Sequence, residues 1–343
     1  MDKKLVNSIL LGVAAGAAIN LLKRSNRFGL EGKNVVITGG ARGLGLVLAR
    51  QMVDRGARVA ICSRHEDELA RAVADLQSRG GKVIAFRTDL TEREHAEAFI
   101  DECRIRYGGV DVLINNAGVI QVGPLEEQTE KDFRDAMNIH FWGPYHTMQA
   151  VVPLMKKNGG GRIANIVSIG GKVAVPHLAP YCASKFALSG LSKAFANELA
   201  KDSIKVTTVY PGLMRTGSHV NALFKGQNEK EFALFSVMDA TPATSISAER
   251  AAAQIIDAVE RGKSELTISI QAKIVALLSE IAPELTASLM QTSTLFLPGE
   301  GGIGEQLATG LESRSDLIPD AVTSLIDTAA EQNNELKPGE SLA

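Results

Sequence analysis

Two patterns alternate along the chain between Lys33 and about Ile270. Short apolar runs rich in Val and Ile recur at Asn34–Thr38, Arg58–Ser63, Lys82–Thr88, Val110–Asn115, Arg162–Ser168, Lys205–Tyr210 and Glu265–Ser269. Amphipathic stretches lie between them, among them Leu44–Arg55, Glu66–Arg79 and Arg93–Tyr107. Strands that are apolar without a polar alternation have no wet face, so they predict a parallel sheet covered by helices on both sides. No internal repeat and no Pro- or Ser-rich linker interrupts this order. It predicts one doubly wound α/β domain over residues 31–270.

The two ends break the pattern. Leu5 to Leu22 carries no charge over 18 residues, and as a helix it would measure about 27 Å, enough to cross a hydrocarbon core. Lys3 and Lys4 precede it, while Lys23, Arg24 and Arg27 follow. The heavier basic flank would keep residues 23 onward on the cytoplasmic side. Three readings of residues 1–30 stand: a membrane anchor, a cleaved signal peptide with Ala15-Gly16-Ala17 at its end, or an apolar helix packed on the domain or a partner subunit. Gly12 and Gly16 form a GxxxG pair, and Asn7, Ser8 and Asn20 weaken the membrane reading. At the other end, residues 271–343 predict a helical extension. Ile270–Ile281 is apolar apart from Lys273 and Glu280, with packing on the sheet as the default over a substrate entrance or a membrane surface. Pro298–Gly304 is a glycine-rich break. Leu317–Ala330 then predicts a helix with Ile318, Val322, Leu325 and Ala329 on one face, and the polar end from Glu331 is expected to fray.

Bulk composition excludes several classes. The chain has 343 residues, is 45% hydrophobic and carries a net charge of -2, with a pI near 6.3. It can bury a large core, and it has no electrostatic footprint for nucleic acid. Cys62, Cys103 and Cys182 show no paired spacing, which argues for a reducing compartment and no disulfide framework. No cluster has metal-ligand spacing, so no metal is expected, and the six scattered histidines read as ordinary polar residues.

The first strand runs into Thr38-Gly39-Gly40-Ala41-Arg42-Gly43-Leu44-Gly45, and a helix follows. Glycines there let the backbone turn tightly and approach a pyrophosphate, which the helix N-terminus then attracts. The second strand ends in Cys62-Ser63-Arg64-His65. Ser63 stands where an NAD site usually carries an acid for the ribose hydroxyls. Arg64, next to it, and Arg42, in the glycine loop, would suit a 2′-phosphate, so NADP(H) is preferred over NAD(H). Further along, Tyr181-Cys-Ala-Ser-Lys185 sets a phenol and an ammonium on one helix face. A nearby ammonium would lower the tyrosine pKa and suit it to proton transfer near neutrality.

Together with Asp89-Leu90, Asn115-Asn-Ala-Gly118, Asn138, Ser168 and Pro211-Gly212 with Thr216, these motifs resemble the short-chain dehydrogenase/reductase family, in order and at family spacing over residues 31–270. The resemblance implies a Rossmann-type sheet with the cofactor at the carboxyl ends of its strands. It implies that Tyr181 is the general acid or base and that Lys185 holds the nicotinamide ribose. Ser168 would polarise the substrate oxygen, and Asn138 would hold a relay water. The resemblance further assigns cofactor contacts to Thr38, Gly39, Arg42, Gly43, Leu44, Gly45, Ser63, Arg64, Asp89, Leu90, Asn116, Ala117, Gly118, Tyr181, Lys185, Pro211, Gly212 and Thr216. A homodimer or homotetramer, joined through helices near Phe133–Lys156 and Tyr181–Lys201, follows from the same resemblance.

The expected reaction is hydride transfer between NADP(H) and a carbonyl or secondary alcohol. Val220, Leu223, Phe224, Phe232, Leu234, Phe235 and Met238, in the segment from Leu213 to Ile246, point to an apolar substrate such as a ketone, an acyl chain or a steroid-like ring. His177 borders the site in a packing role, and the Cys182 side chain points elsewhere. Two other classes stay open: a non-catalytic NADP(H)-binding sensor or membrane scaffold, and a nucleotide-sugar epimerase or dehydratase on the same fold.

Overall fold

The structure, a computed structural model, describes residues 27–337, 339 and 340. The apolar segment 5–22 lies outside the described residues. In chain order the elements begin β1 (Asn34–Thr38), α1 (Gly43–Val53), β2 (Arg58–Ser63), α2 (Glu66–Ser78), β3 (Lys82–Arg87), α3 (Arg93–Tyr107) and β4 (Val112–Asn115). Next come β5 (Gln121–Val122), α4 (Glu130–Met137), α5 (Gly143–Lys157), β6 (Gly161–Ile166), α6 (Ala179–Leu199) and β7 (Ile204–Pro211). Then follow β8 (Leu213–Arg215), β9 (Leu223–Phe224), α7 (Asn228–Ala240), β10 (Ser245–Ser247), α8 (Ala248–Arg261) and β11 (Glu265–Ile268). The last are α9 (Ile270–Ile281), α10 (Pro283–Ser293), β12 (Ala308–Thr309) and α11 (Asp320–Gln332).

Seven strands form one parallel sheet in the order β11-β7-β6-β4-β1-β2-β3. The pleat divides each central strand between two cores. Val35 and Ile37 of β1, Val59 and Ile61 of β2, and Val112 and Ile114 of β4 enter a cluster with α1 and α8. Val36, Ala60, Cys62 and Leu113 enter the opposite cluster with α3 and α5. Successive side chains point to opposite faces, so burial on both sides requires the continuous apolar runs seen in the sequence. Each fully buried Val, Leu or Ile contributes about 1.5–3 kcal/mol relative to exposure. Local signals set the helix ends: Gly108 stops α3 in the left-handed region at φ 83°, a Thr129–Asp132 capping box opens α4, and Ser247 caps α8. A small second sheet, β5-β9-β12, pairs the segment after β4 with two segments from beyond β7. Among the described residues no helix is long and apolar enough to cross a membrane.

Three expectations for the C-terminal region are corrected. Ile270–Ile281 forms α9, but only Ala272 and Ala276 are buried, while Ile270, Ile274, Leu277 and Ile281 are exposed. It does not pack flat on the sheet. In α11 the buried face holds Thr323, Ile326, Ala329 and Ala330, with Val322 and Leu325 exposed. The helix uses its small and polar residues against the domain because α7 lies close. The end after Glu331, expected to fray, is docked as far as Leu336, with Asn333 and Glu335 buried.

Candidate active site

The site is assembled from the carboxyl ends of β1, β4, β6 and β7 and the helices that follow them. Gly39 adopts φ +61° beside β4, where a Cβ would stand 2.9 Å from Ala117 Cα. Gly43 adopts φ +52° as the first residue of α1. Both conformations favour glycine. Thr38 fastens the loop to the β4 end: its Oγ1 accepts from the N–H of Asn116 (2.9 Å) and of Ala117 (3.1 Å). Asn116 Nδ2 in turn donates to the carbonyls of Thr38 and Gly39, each at 3.1 Å. Leu44 is buried in the core under the loop. Gly45 leaves room for the Gly39 carbonyl. Gly39, Gly43 and Gly45 therefore add no side chains of their own to this floor, and their backbone suits the close approach of a dinucleotide.

At the other end of this floor, Lys185 and Tyr181 project from the first turns of α6. Lys185 is buried and donates to the Ile166 carbonyl at 3.0 Å. Its Nζ lies 5.5 Å from the Tyr181 ring centre. The Ser168 hydroxyl hydrogen-bonds the Tyr181 phenol and accepts from Gly170 N–H at 3.1 Å. Burial pushes the Tyr181 phenol up to about 12, with the Ser168 bond opposing that rise. Burial lowers the Lys185 ammonium to about 7. The expectation that Lys185 depresses the Tyr181 pKa is therefore not met. Both groups are taken out of water, which penalises each charged form, and the ammonium is held by a backbone carbonyl.

His140 is a further member of this site. A π turn, Asn138–Trp142, joins α4 to α5; such turns rotate side chains out of helical register. Here the turn carries His140 inward, where its ring meets the Tyr181 ring edge-on, with centroids 5.3 Å apart. Its Nε2 accepts from Val119 N–H at 3.2 Å, which assigns the proton to Nδ1, and Nδ1 meets Ser184 Oγ at 2.8 Å. Ser184 Oγ then donates to the Tyr181 carbonyl at 2.8 Å. A Cβ placed on Gly118 would lie 2.8 Å from His140 Nε2 and 3.6 Å from Lys185 Nζ. Burial, and then the Lys185 charge, hold the imidazole well below its usual pKa, so it stays neutral. Asn138 stands at the start of the turn. Its N–H donates to the Arg134 and Asp135 carbonyls, and its own carbonyl accepts from Gly143 N–H. The side chain of this turn that meets Tyr181 is that of His140. A lone histidine in a helical stretch carries no spacing signal, and only the π turn reveals where it points.

The adenosine end holds the remaining predicted residues. Ser63 Oγ donates to Glu68 Oε2 at 3.0 Å, and Glu68 is buried in the first turn of α2. Arg42 pairs with Glu68 (3.5 Å) and with Glu335 (3.5 Å). Arg64 is exposed. Asp89 accepts from Thr91 N–H and Oγ1, at 3.0 and 2.8 Å. Burial would raise the Asp89 carboxyl, but those bonds and the Arg64 charge bring it below its ordinary value. Leu90 is buried beside Gly143. Past Pro211, the last residue of β7, Gly212 N–H donates to the Ile268 carbonyl at 3.3 Å, and Thr216 is buried with its Oγ1 donating to Ser218. Glu68, five residues past the end of β2, is thus the carboxylate bonded to Ser63.

Above the floor lies the segment expected to meet substrate. Val220, Phe224 and Phe232 are buried; Phe224 and Phe232 pack with Val122 and Ala222 against Leu178, three residues before Tyr181. Met238 is exposed. His177 Nδ1 meets the buried Glu231 at 2.6 Å, tying the turn before α6 to α7. Cys182 is buried, with its Sγ toward Val175 N–H, and all three cysteines are free.

Comparison with known proteins matches residues 33–227 to the family described as short chain dehydrogenase. A Mycobacterium tuberculosis protein bearing an oxidoreductase name, SadH, is 34% identical over 73% of this chain and 91% of its own length. An Anopheles gambiae dehydrogenase/reductase SDR family protein 7-like is 30% identical over 84% of this chain and 92% of its own. Among solved structures, a short-chain dehydrogenase from Streptomyces avermitilis gives a TM-score of 0.64 at 30% identity, covering 77% of this chain and 97% of that one. The L-sorbose reductase of Gluconobacter frateurii, complexed with NADPH and L-sorbose, also gives 0.64, at 25% identity over 70% and 96%. Near-complete coverage of each relative places the likeness in the whole fold, not in an isolated motif.

Proposed function

Because this chain belongs to the short-chain dehydrogenase family, we propose that it is an NADP(H)-dependent oxidoreductase acting on a carbonyl or secondary alcohol, with Tyr181 as the proton-transfer group. The observation that carries this reading is the meeting of partly exposed Tyr181 and Ser168 with buried Lys185 beside the glycine floor. The cofactor, when bound, supplies or accepts the hydride. Gly39, Gly43, Asn116, Gly118 and Thr216 would hold it on the floor. Ser168 orients the reacting oxygen toward the phenol, and Tyr181 gives that oxygen a proton in reduction or takes one in oxidation. Lys185, whose ammonium burial lowers to about 7, is favoured in its charged form by any negative charge that enters, and that ammonium then favours phenolate. His140 is a positioning residue: held neutral, with both ring nitrogens bonded, it fixes Tyr181 and fences Lys185 from one side.

The apolar cluster reaching Leu178 supports a largely apolar substrate. NADP(H) is supported by Arg42 at the loop and by the NADPH complex of the sorbose reductase. One observation favours NAD(H) instead: Glu68, buried beside Ser63, could accept from ribose hydroxyls. Exposed Trp142 and Phe186 support self-association through α5 and α6. The charge-free segment 5–22 with its basic flank supports a membrane tether that leaves the catalytic domain on the cytoplasmic side.

The test follows NADPH and NADH oxidation at 340 nm with a panel of apolar ketones and polyol-derived ketoses. Turnover with one cofactor that disappears in Tyr181→Phe supports the reading. Cofactor binding with no turnover across the panel, unchanged by that substitution, would move the non-catalytic sensor to the front.

A further inference from the structure

The glycine loop already has an occupant. The N–H of Gly43, the first residue of α1, donates to the Asn333 carbonyl at 2.9 Å. Asn334 Nδ2 donates to the Ala41 carbonyl at 2.8 Å and the Glu68 carbonyl at 3.0 Å. Asn333 Nδ2 donates to the Thr216 carbonyl at 3.1 Å, so the segment bridges the glycine loop and the turn after β7. Glu335 is buried; its carboxylate fills the space a Gly43 side chain would need, pairs with Arg42, and accepts from Asn221 Nδ2 at 2.8 Å. Arg50 holds the Asn333 side chain (3.0 Å) and the Gln332 carbonyl (2.8 Å), and Arg71 holds the Leu336 carbonyl (3.2 Å).

These contacts have a chemical pattern in common. A helix N-terminus with a free N–H and an adjacent guanidinium is a place for an anion. Here a backbone carbonyl takes the N–H and a carboxylate takes the guanidinium. A phosphate on the same loop would compete for both donors. It would also bring a third negative group beside the buried Glu335 and Glu68 carboxylates, where unpaired charge is costly. The segment and a dinucleotide phosphate therefore exclude each other.

We propose that Asn333–Leu336 is a C-terminal strap that occupies the cofactor's phosphate site and must leave before the dinucleotide binds; this rests on the cofactor reading above. The rest of the extension stays in place. Ile326 and Ala330 are fully buried, and Asp327 accepts from His219 at 3.1 Å, so α11 remains on the domain while the residues after it release. Thr216 and Asn221 belong to the segment expected to meet substrate, and Asn333 and Glu335 are bonded to them. Release of Glu335 and Asn333 from them frees that segment as well, so cofactor entry loosens the substrate side. A strap closed ten times out of eleven raises the apparent Kd about tenfold, by the fraction of molecules able to bind.

The test uses the full chain. NADPH is titrated by nicotinamide fluorescence into the wild type, Glu335→Gln and Asn334→Ala, and hydrogen exchange of residues 329–340 is followed in the wild type with and without saturating NADPH. The strap predicts a Kd about tenfold lower in both variants; a gain in Glu335→Gln alone, with Asn334→Ala unchanged, reduces the effect to charge and overturns it. It also predicts that the Asn333 and Glu335 amides, bonded to the Ala329 and Ala330 carbonyls, exchange faster once NADPH is bound. Slower exchange with NADPH, or equal affinity in all three forms, overturns the strap and leaves the cofactor reading standing. Failure of every folded form to bind NADPH or NADH sinks the cofactor reading and the strap with it.

Discussion

The two ends of the glycine floor are built on different principles. At the chemical end Tyr181, Ser168, Lys185 and His140 meet one another, all within the stretch from β4 to α6. At the phosphate end Arg42, Ser63 and Gly43 are met by a glutamate five residues beyond β2 and by a segment almost three hundred residues downstream. A cluster closed by its own neighbours can hold one geometry at all times. A cluster closed by a distant, polar, hydrogen-bonded segment can open at the cost of a few exchanged bonds, each worth about 0.5–1.5 kcal/mol net. The comparison predicts that substitutions at the chemical end change rate, and substitutions at the phosphate end change affinity.

The largest break in that comparison is Tyr181→Phe. Turnover is expected to fall about 10²–10⁴-fold, with NADPH affinity changed by less than about twofold, since about 0.4 kcal/mol is all that such a factor represents. A matching loss of affinity would mean that the two ends are not separable. Next in size is a stability effect at Lys185. Its folded pKa of about 7 lies below that of an unfolded lysine, near 10.4. The unfolded chain therefore binds more protons between these values, and stability rises with pH across that window by up to about 1.4 kcal/mol per unit. The penalty of the buried ammonium is full below pH 7 and relieved above it. Denaturant melts of the wild type and Lys185→Met between pH 7 and 9.5 should converge toward the variant's level at the alkaline end. Cys62 and Cys103, whose thiols burial pushes up, act equally in both chains. Tyr181, at about 12, keeps its proton in either state below about pH 10. A constant difference across the range would refute a buried, depressed Lys185.

His140→Phe comes third. The ring is kept, but the Val119 N–H and the Ser184 hydroxyl lose their partner. kcat is expected to drop about tenfold, equivalent to the roughly 1–3 kcal/mol of leaving a buried polar group unpaired. A positioning role also shifts the pH profile of kcat, because Lys185 loses a neighbour, and leaves KM for substrate unchanged. A fall in activity that tracks lost stability, with the profile unmoved, would make His140 merely structural.

This contrast also explains what could be read in the sequence. Strands β1 and β2 were expected with the bounds they have, and Glu265 opens β11 as expected, because burial on both faces leaves an apolar run with sharp polar edges. Spacing alone sets Tyr181 and Lys185 on one helix face, the family resemblance adds Ser168 and the roles of all three, and the structure brings them together. His140 was not legible, since a π turn changes register without leaving a mark in the hydrophobic pattern. Glu68 escaped for a similar reason: acids in the first turn of a helix are common for reasons of the dipole alone. The strap was read as a fraying tail because Asn333, Asn334 and Glu335 are polar. Polar residues predict solvent unless a partner waits for them, and here the partners are backbone groups of a loop that glycine leaves open. The face of α11 was misplaced because Thr323 and Ala330 face the domain while Val322 and Leu325 face out. Hydropathy alone reverses that choice.

The smallest expected effect sharpens the phosphate end. Arg42 lies between two carboxylates, Glu68 and Glu335, at 3.5 Å each, so its charge is already answered when the strap is closed. Once the strap leaves, Glu68 alone remains beside it, and Glu68 is also bonded to Ser63. That arrangement can take either a 2′-phosphate on Arg42 or ribose hydroxyls on Glu68, with little margin between them. Arg42→Ala should then weaken NADPH by about tenfold, the worth of one charge-assisted bond, and NADH by less than about threefold. Glu68→Gln removes the competing charge without changing shape, and should tighten NADPH about threefold while weakening NADH by a similar factor. Titrating both cofactors into both variants separates the cases. If Glu68→Gln weakens NADH strongly and leaves NADPH untouched, the glutamate is the ribose ligand and the chain prefers NAD(H). If neither variant moves the ratio, the 2′ position is read elsewhere, and exposed Arg64 becomes the group to change.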